Sequence, residues 1–349
     1  MKKLTVKICL VILVLALLLS IFAYNSLKSK QKFTKTYLDH FDTVTTVIGY
    51  AKKKADFDTV ASIVNDRLYE YHKLYDIYNS YSGITNLCDV NISAGSGAIK
   101  VDRRIVDLLI YAKEAYALTD GETNVAMGSL LSVWHNARET GCENPELAVL
   151  PDVRVLENAA HHTDISALVI NEAESTVVIT DPEARLDVGA IAKGYAVEMV
   201  ARELEEMGVS GYVLNVGGNI RVIGPKPDGA SWSVAIENPG IPGSYDEYIR
   251  TLPLSSGAMV TSGSYQRYYV VNGKKYHHII DKDTLYPSEY FLSVSVICDS
   301  SALADVLSTA LFSMSYEDGL ALISSIDSAE ALWVSPSGEI KTTDGFPEK

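Results

Sequence analysis

Two hydrophobic periods interleave irregularly along this chain, and that interleaving limits the fold more than any single motif does. Thr43-Val44-Thr45-Thr46-Val47-Ile48 is β-branched throughout and predicts a strand. Asp56 then caps a helix whose apolar positions Val60, Ile63, Val64, Leu68, Tyr71 and Leu74 fall at helical spacing. Asp102 starts a second helix, with Ile105, Leu108, Leu109, Ala112 and Tyr116 on one side. After a loop-rich stretch from Gly141 to Pro151, Leu168–Ile170 and Thr176–Ile179 predict a hairpin. The segment from Leu186 to Met207 reads as a loop and then a helix ended by Gly208. Strands are predicted at Tyr212–Val216, Trp232–Ile236 and Tyr265–Val271, the last turning at Asn272-Gly273 into Lys275–Ile280. A strand at Phe291–Ile297, a helix at Ser301–Met314 and a strand at Ala331–Val334 complete the pattern. Hairpins and helices are mixed rather than set in strict βαβ alternation. The expected class is therefore α+β, with a mixed, mainly antiparallel sheet and packed helices in one large domain over 36–349. A chain of 349 residues, 47% of them hydrophobic, can bury such a core.

The N-terminus obeys different rules. Lys2, Lys3 and Lys7 precede an apolar run from Ile8 to Ala23 broken only by Ser20. A positive flank before an apolar core marks an export signal or an anchor over 1–25, and Leu4 to Tyr24 approaches the ~20 residues of a spanning helix. Ile21, Phe22 and Tyr24 offer no small-residue cleavage site, which favours an uncleaved anchor. The lysines would keep the N-terminus in the cytoplasm. The expected location is then the cell membrane, with the domain on its outer, extracytoplasmic face and 26–35 as a tether. Cys88, Cys142 and Cys298 lie beyond the anchor, odd in number and without a CxxC, so neither a disulfide framework nor a zinc site is expected and packed thiols are.

A net charge of −14 repels nucleic acid and excludes it as an expected partner. It also opposes a polyanionic small molecule unless local cations offset the field. Asp187-Val188-Gly189-Ala190-Ile191-Ala192-Lys193-Gly194 places a carboxylate, two glycines and a lysine at a helix mouth, where free N–H groups and the dipole favour anions. An ordinary helix start with a solvated lysine fits that stretch at least as well. Asn215-Val216-Gly217-Gly218-Asn219-Ile220 reads first as a tight hairpin turn. Asp305 and Thr309 stand four apart on one helix face among small and apolar neighbours. Two hard oxygens there suit Mg²⁺, while a threonine bonding its own backbone and an aspartate supporting the first turns fit equally. His277 and His278 alternate on opposite faces of a strand, which excludes a metal pair and leaves an acid/base or a structural histidine.

Taken in order, Asp187–Gly194, Gly217-Gly218-Asn219-Ile220, Thr261-Ser262-Gly263-Ser264-Tyr265-Gln266-Arg267-Tyr268, His278-Ile279-Ile280-Asp281 and Ala304-Asp305 with Thr309 resemble the FAD:protein FMN transferases, the ApbE family. The resemblance runs from about Tyr37 to Val334. It implies a domain that binds FAD and Mg²⁺ and moves FMN from FAD to a Thr or Ser hydroxyl of an acceptor flavoprotein, an exported one here, with release of AMP. By the same resemblance Asp187, Lys193 and Ile279 contact FAD, Tyr78 lies on the flavin ring, and Glu122-Thr123-Asn124 occupies another flavin-contact segment. Asp305, Thr309 and the Ala190 carbonyl hold the metal, and His278, or else Asp281, takes the acceptor proton. Phe41-Asp42-Thr43 stands where many members have Met-Gly-Thr, so Phe41 takes the place of a flavin-contacting methionine. Glu122-Thr123-Asn124 replaces a common Ala-Phe-Asp, and Lys282 and Leu285 replace a usual Pro and Gly. The competing readings are an FAD diphosphatase, with water as acceptor, and a membrane-anchored flavin-binding protein without catalysis, which would need no metal pair.

Overall fold

The computed structural model describes residues 12–20 and 30–347. Residues 12–20 are helical and exposed; the rest of the expected anchor, and 26–29 of the expected tether, lie outside the described residues. Among the described residues no helix is long and apolar enough to cross a membrane.

In chain order the elements are β1 (Gln31–His40), β2 (Thr43–Ala51), α1 (Lys54–Tyr75), α2 (Leu87–Ile92), β3 (Ile99–Lys100), α3 (Arg103–Leu118), α4 (Gly128–Glu143), α5 (Val153–Ala160), β4 (Leu168–Asn171), β5 (Thr176–Ile179) and α6 (Ala192–Glu206). Then follow β6 (Tyr212–Val216), β7 (Asn219–Ile223), β8 (Trp232–Glu237), β9 (Tyr248–Leu254), β10 (Gly257–Gly263), β11 (Tyr268–Val271), β12 (Lys274–His277), β13 (Ser293–Cys298), α7 (Ser301–Phe312), α8 (Tyr316–Ser324), β14 (Ala329–Val334) and β15 (Ile340–Thr342). Eight strands form one sheet in the order β1-β2-β6-β7-β10-β13-β14-β15. Each neighbouring pair is antiparallel, as the mixture of hairpins and helices led one to expect. Helices α1, α3 and α6 bury their apolar faces with β2 and β6 in one core, and α7 packs with β10, β13 and β14 in a second.

Two helices set the site. α7 is buried on nearly every side, capped at its start by the Ser300 hydroxyl, which accepts from Leu303 N–H at 3.4 Å. α6 packs against it, and the approach at Gly194 is so tight that a side chain would collide with Asp305 and the Ser301 carbonyl. Glycine is required there for close approach.

The structure corrects several expectations. The domain begins before Thr36: Gln31–Lys35, read as tether, belong to β1 and pair with Val47–Ala51. Most of β1 is exposed at the sheet edge, so it lacks the alternation that reveals a half-buried strand, and its lysines suit an unpaired edge. Asp56 lies inside the first turn of α1 rather than capping it, because the helix starts two residues earlier. The strand expected over Tyr265–Val271 shortens to β11, and β10, which precedes it, was not expected. Gly257–Val260 of β10 is buried at every position between β7 and β13, and a strand covered on both faces shows no period of two. Of the thiols, Cys142 is exposed while Cys88 and Cys298 are buried.

Candidate active site

A cleft of about 540 Å³ opens among the start of α6, the middle of α7, the β1–β2 turn, α4 and the loop after β12. Every site residue expected from the sequence, from Phe41 to Thr309, borders it except Asp281. At one end Asp305 is buried on α7, and its Oδ2 accepts the Gly194 N–H of α6 at 2.8 Å. That N–H is one of the unbonded donors of a helix N-terminus, and the dipole there favours a carboxylate. Lys193 Nζ lies 3.6 Å from Asp305 Oδ1. Burial raises the Asp305 pKa, and Lys193 and the Gly194 N–H only partly oppose it. The carboxylate is thus short of positive charge. Thr309, one turn further along α7, has its hydroxyl 3.4 Å from Ser262 Oγ on β10, and Ala190 borders the same end. Among the described residues no group of three or more His, Cys, Asp and Glu is placed to hold a metal. One under-neutralised carboxylate, a hydroxyl and a backbone carbonyl form a hard-oxygen set that fits Mg²⁺, which retains water and shares phosphate oxygens.

The other end is aromatic. Tyr78 is half exposed and stacks on His135 of α4, with ring centroids 4.9 Å apart. Its loop is pinned by Asp76, whose Oδ1 accepts from Tyr78 N–H at 2.7 Å and Asn79 N–H at 3.0 Å, and whose Oδ2 accepts from Tyr81 OH at 2.7 Å. Burial pushes the Asp76 pKa up, but the bonds from Tyr81, Tyr78 and Asn79 outweigh it and hold the group ionised. Burial raises the Tyr78 phenol to about 12, so it stays protonated. Phe41 and Asp42 form the β1–β2 turn, both left-handed at φ 51° and 52°, and Phe41 N–H donates to His72 Nδ1 at 3.2 Å. Asp42 fills the conformation that a glycine takes most easily, which accounts for the Gly at this point in many members.

Thr123 and Asn124 border the cleft, yet their side chains are engaged elsewhere. The Thr123 hydroxyl donates to the Val306 carbonyl at 3.1 Å, and Asn124 bonds Thr163 O and Ala126 N–H. Glu122 lies 3.3 Å from Lys282, so two of the departures from the family pattern pair with each other. Leu285, where the family has glycine, is left-handed at φ 62°.

His278 lies between the two ends. Burial first, and then Arg267, Arg138, His277 and Lys193, press its pKa down to about 3, which leaves a neutral imidazole. Its Nδ1 has no hydrogen-bond partner among the described residues. His277 points the other way and is structural: Nε2 donates to Ser288 O at 2.7 Å and Nδ1 accepts from Ile279 N–H at 3.2 Å. Asp281, the other candidate base, does not border the cleft; its Oδ1 caps the next turn through Asp283 N–H and Thr284 N–H. Asp187 borders the cleft with Oδ1 on Gly189 N–H at 2.8 Å, and desolvation raises its pKa.

Sequence reading missed Arg138 and Arg267, which border the cleft without a carboxylate partner among the described residues. Arg267 sits in a stretch already singled out. Arg138 lies on α4, which opens at Met127-Gly128 with no side-chain cap and so carries no start signal.

The family model of the ApbE family matches residues 41–333. The chain is 32% identical over 297 residues to a Vibrio cholerae FAD:protein FMN transferase, covering 84% of this chain and 83% of that one. It is 28% identical over 284 residues to the Klebsiella pneumoniae enzyme of the same name, covering 81% and 84%. The crystal structure of the ApbE protein of Thermotoga maritima matches with a TM-score of 0.79 at 27% identity, over 90% of this chain and 98% of that one. The flavin transferase ApbE of Vibrio cholerae matches at 0.74 and 26%, over 90% and 97%.

Proposed function

The chain belongs to the ApbE family, and on that premise we propose that it transfers the FMN half of FAD to a Thr or Ser hydroxyl of an acceptor protein and releases AMP. One observation carries the reading: a single cleft gathers an aromatic platform at Tyr78, a neutral imidazole at His278 and a lysine beside a buried carboxylate at Lys193 and Asp305. Tyr78 and Phe41 orient the flavin. Lys193 meets the diphosphate, which resolves the conflict between a −14 chain and a polyanionic substrate by concentrating positive charge at one point. Asp305, Thr309 and Ala190 would hold Mg²⁺, which would supply charge neutralisation on the diphosphate and on the departing phosphate.

The acceptor oxygen bonds to the phosphorus of the FMN half while that phosphorus loses its oxygen bridge to AMP, and AMP leaves with the bond's electron pair. His278 receives the hydroxyl proton. A base with a pKa near 3 is weak; burial is the largest cause, and the cations Arg267, Arg138 and Lys193 add to it. The charge of a bound diphosphate offsets the cations' share and shifts His278 upward.

The Lys2, Lys3 and Lys7 flank and the apolar run to Ala23 support a membrane anchor and an extracytoplasmic domain, and hence an exported acceptor. The test is to incubate the chain with FAD, Mg²⁺ and candidate exported proteins and weigh the products. Transfer gives an acceptor heavier by FMN together with AMP. Free FMN and AMP with no mass gain would make it an FAD diphosphatase, and intact FAD would leave a flavin-binding protein.

A further inference from the structure

Asn219 opens β7 directly after a turn made by Gly217 and Gly218, both left-handed at φ 56° and 86°. Asn215 Oδ1 accepts the Gly218 N–H at 3.0 Å and fixes that turn. The Asn219 side chain is fully buried, yet the residue borders the cleft. Ser301 Oγ donates to its Oδ1 at 2.5 Å. So short a separation suits O–H···O and is too short for N–H···O, so the amide oxygen faces Ser301 and the NH₂ faces away. Among the described residues that nitrogen, Nδ2, has no hydrogen-bond partner. Native folds rarely leave a buried donor unbonded.

The surroundings fix both the amide and its place in the cleft. Ser301 is the first residue of α7, and its N–H donates to buried Glu198 at 2.8 Å. Arg202 and Arg221 hold that carboxylate in turn, so Ser301 stays put. Ser301, Asp305 and Thr309 follow at intervals of four along one face of α7. The unbonded amide therefore lies at the Asp305–Lys193 end, one helical turn below the carboxylate and away from Tyr78. An NH₂ group there wants an acceptor, and it is no ligand for a cation.

We propose that Asn219 is a substrate-binding residue whose side-chain NH₂ donates to a diphosphate oxygen of FAD. The assignment rests on the FAD reading above. It adds a neutral, geometrically fixed donor to the charge of Lys193 and so recognises the diphosphate by direction as well as by charge.

The test titrates the full-length chain with FAD, ADP and riboflavin by calorimetry, using wild type, Asn219→Ala and Ser301→Ala. Asn219→Ala should raise Kd for FAD and for ADP about 10- to 100-fold, the worth of a hydrogen bond to a charged group, and leave riboflavin within about twofold. Ser301→Ala, which frees the amide to turn, should lower Tm and raise Kd for ADP clearly less than Asn219→Ala does. Equal losses for riboflavin and ADP, or matching losses in the two variants, would show that the amide only holds the fold. No loss for any ligand would mean that water takes the amide. Either result overturns the proposal. Should Asn219→Ala fail to fold, Asn219→Ser supplies the same comparison with a smaller polar side chain. A wild-type chain that binds neither FAD nor ADP would instead overturn the functional reading, and this assignment with it.

Discussion

Replacing Gly194 by alanine probes the contact on which the site depends. A Cβ at this position would lie 2.5 Å from the Ser301 carbonyl oxygen and 3.0 Å from Asp305 Cγ, with the Asp305 Cβ also in collision. Ordinary contact begins near 3.4 Å, so α6 and α7 must part by about 1 Å at the point where Asp305 accepts the Gly194 N–H. Overpacking of this kind costs about 1–3 kcal/mol, and alanine's better helix propensity returns about 1 kcal/mol. Stability should therefore fall modestly, with a Tm lower by a few degrees. Activity should fall far more, about 100-fold, because an ångström of displacement moves Asp305 and Thr309 relative to Lys193 and the substrate. The assay pairs thermal melting with the rate of AMP release over a Mg²⁺ titration. Gly208→Ala is the control: it is left-handed at φ 76° with open space around it, so it should cost about 1 kcal/mol and leave turnover alone. Wild-type turnover and Mg²⁺ demand in Gly194→Ala would refute the idea that the α6–α7 approach sets the site.

Asp305→Ala should abolish AMP release in a folded protein, whereas Thr309→Ala, which loses only a neutral oxygen, should be milder and partly rescued by high Mg²⁺. Full activity in EDTA, or near-normal turnover with only a lowered Tm in Asp305→Ala, would remove the metal from the reaction. His278 has a folded pKa near 3 against 6.5 in a free side chain, so between those values the unfolded chain takes up a proton that the folded one refuses. Its contribution to stability is therefore complete above pH 6.5 and is lost as the pH falls towards 3. His278→Gln should melt higher relative to wild type at pH 5 than at pH 8, and transfer should slow by about 10²–10⁴-fold; equal shifts at both pH values would contradict the burial of a neutral imidazole. Residues 30–349 should be soluble and stable, while 36–349 should melt lower, since the cut removes half of β1 and the Phe33–Phe57 contact at 5.5 Å. Full-length chain should partition with membranes; its recovery from the medium without its first ~25 residues would show a cleaved signal instead.

Much of the chain was legible because the information is local. The Thr176–Ile179 strand, the Asn272-Gly273 turn between β11 and β12, the Gly208 helix stop and the long α7 follow from periods and from residues suited to left-handed turns, all within a few positions of one another. Ordered motifs pointed to the family and to candidate site residues, and the fold brought all of these but Asp281 to one cleft. Where sequence reading failed, the local signal was missing: β1 is an exposed edge, β10 is covered on both faces, and α4 has no cap.

Only the tertiary structure decided what each side chain does once it arrives. Asp305 bonds the N–H of a residue 111 positions away, Asn219 meets Ser301 across 82, and Thr123 reaches the Val306 carbonyl across 183. No periodicity encodes such pairs, because they depend on how helices and sheet pack after each has formed. Asp281 and His278 illustrate this. Three residues apart in one motif, they compete as bases on paper, yet the turn after β12 folds one carboxylate back onto its own backbone and leaves the imidazole facing the cleft. The sequence determined which groups are available; packing, by burying some and bonding others, determined which remain free to meet a substrate.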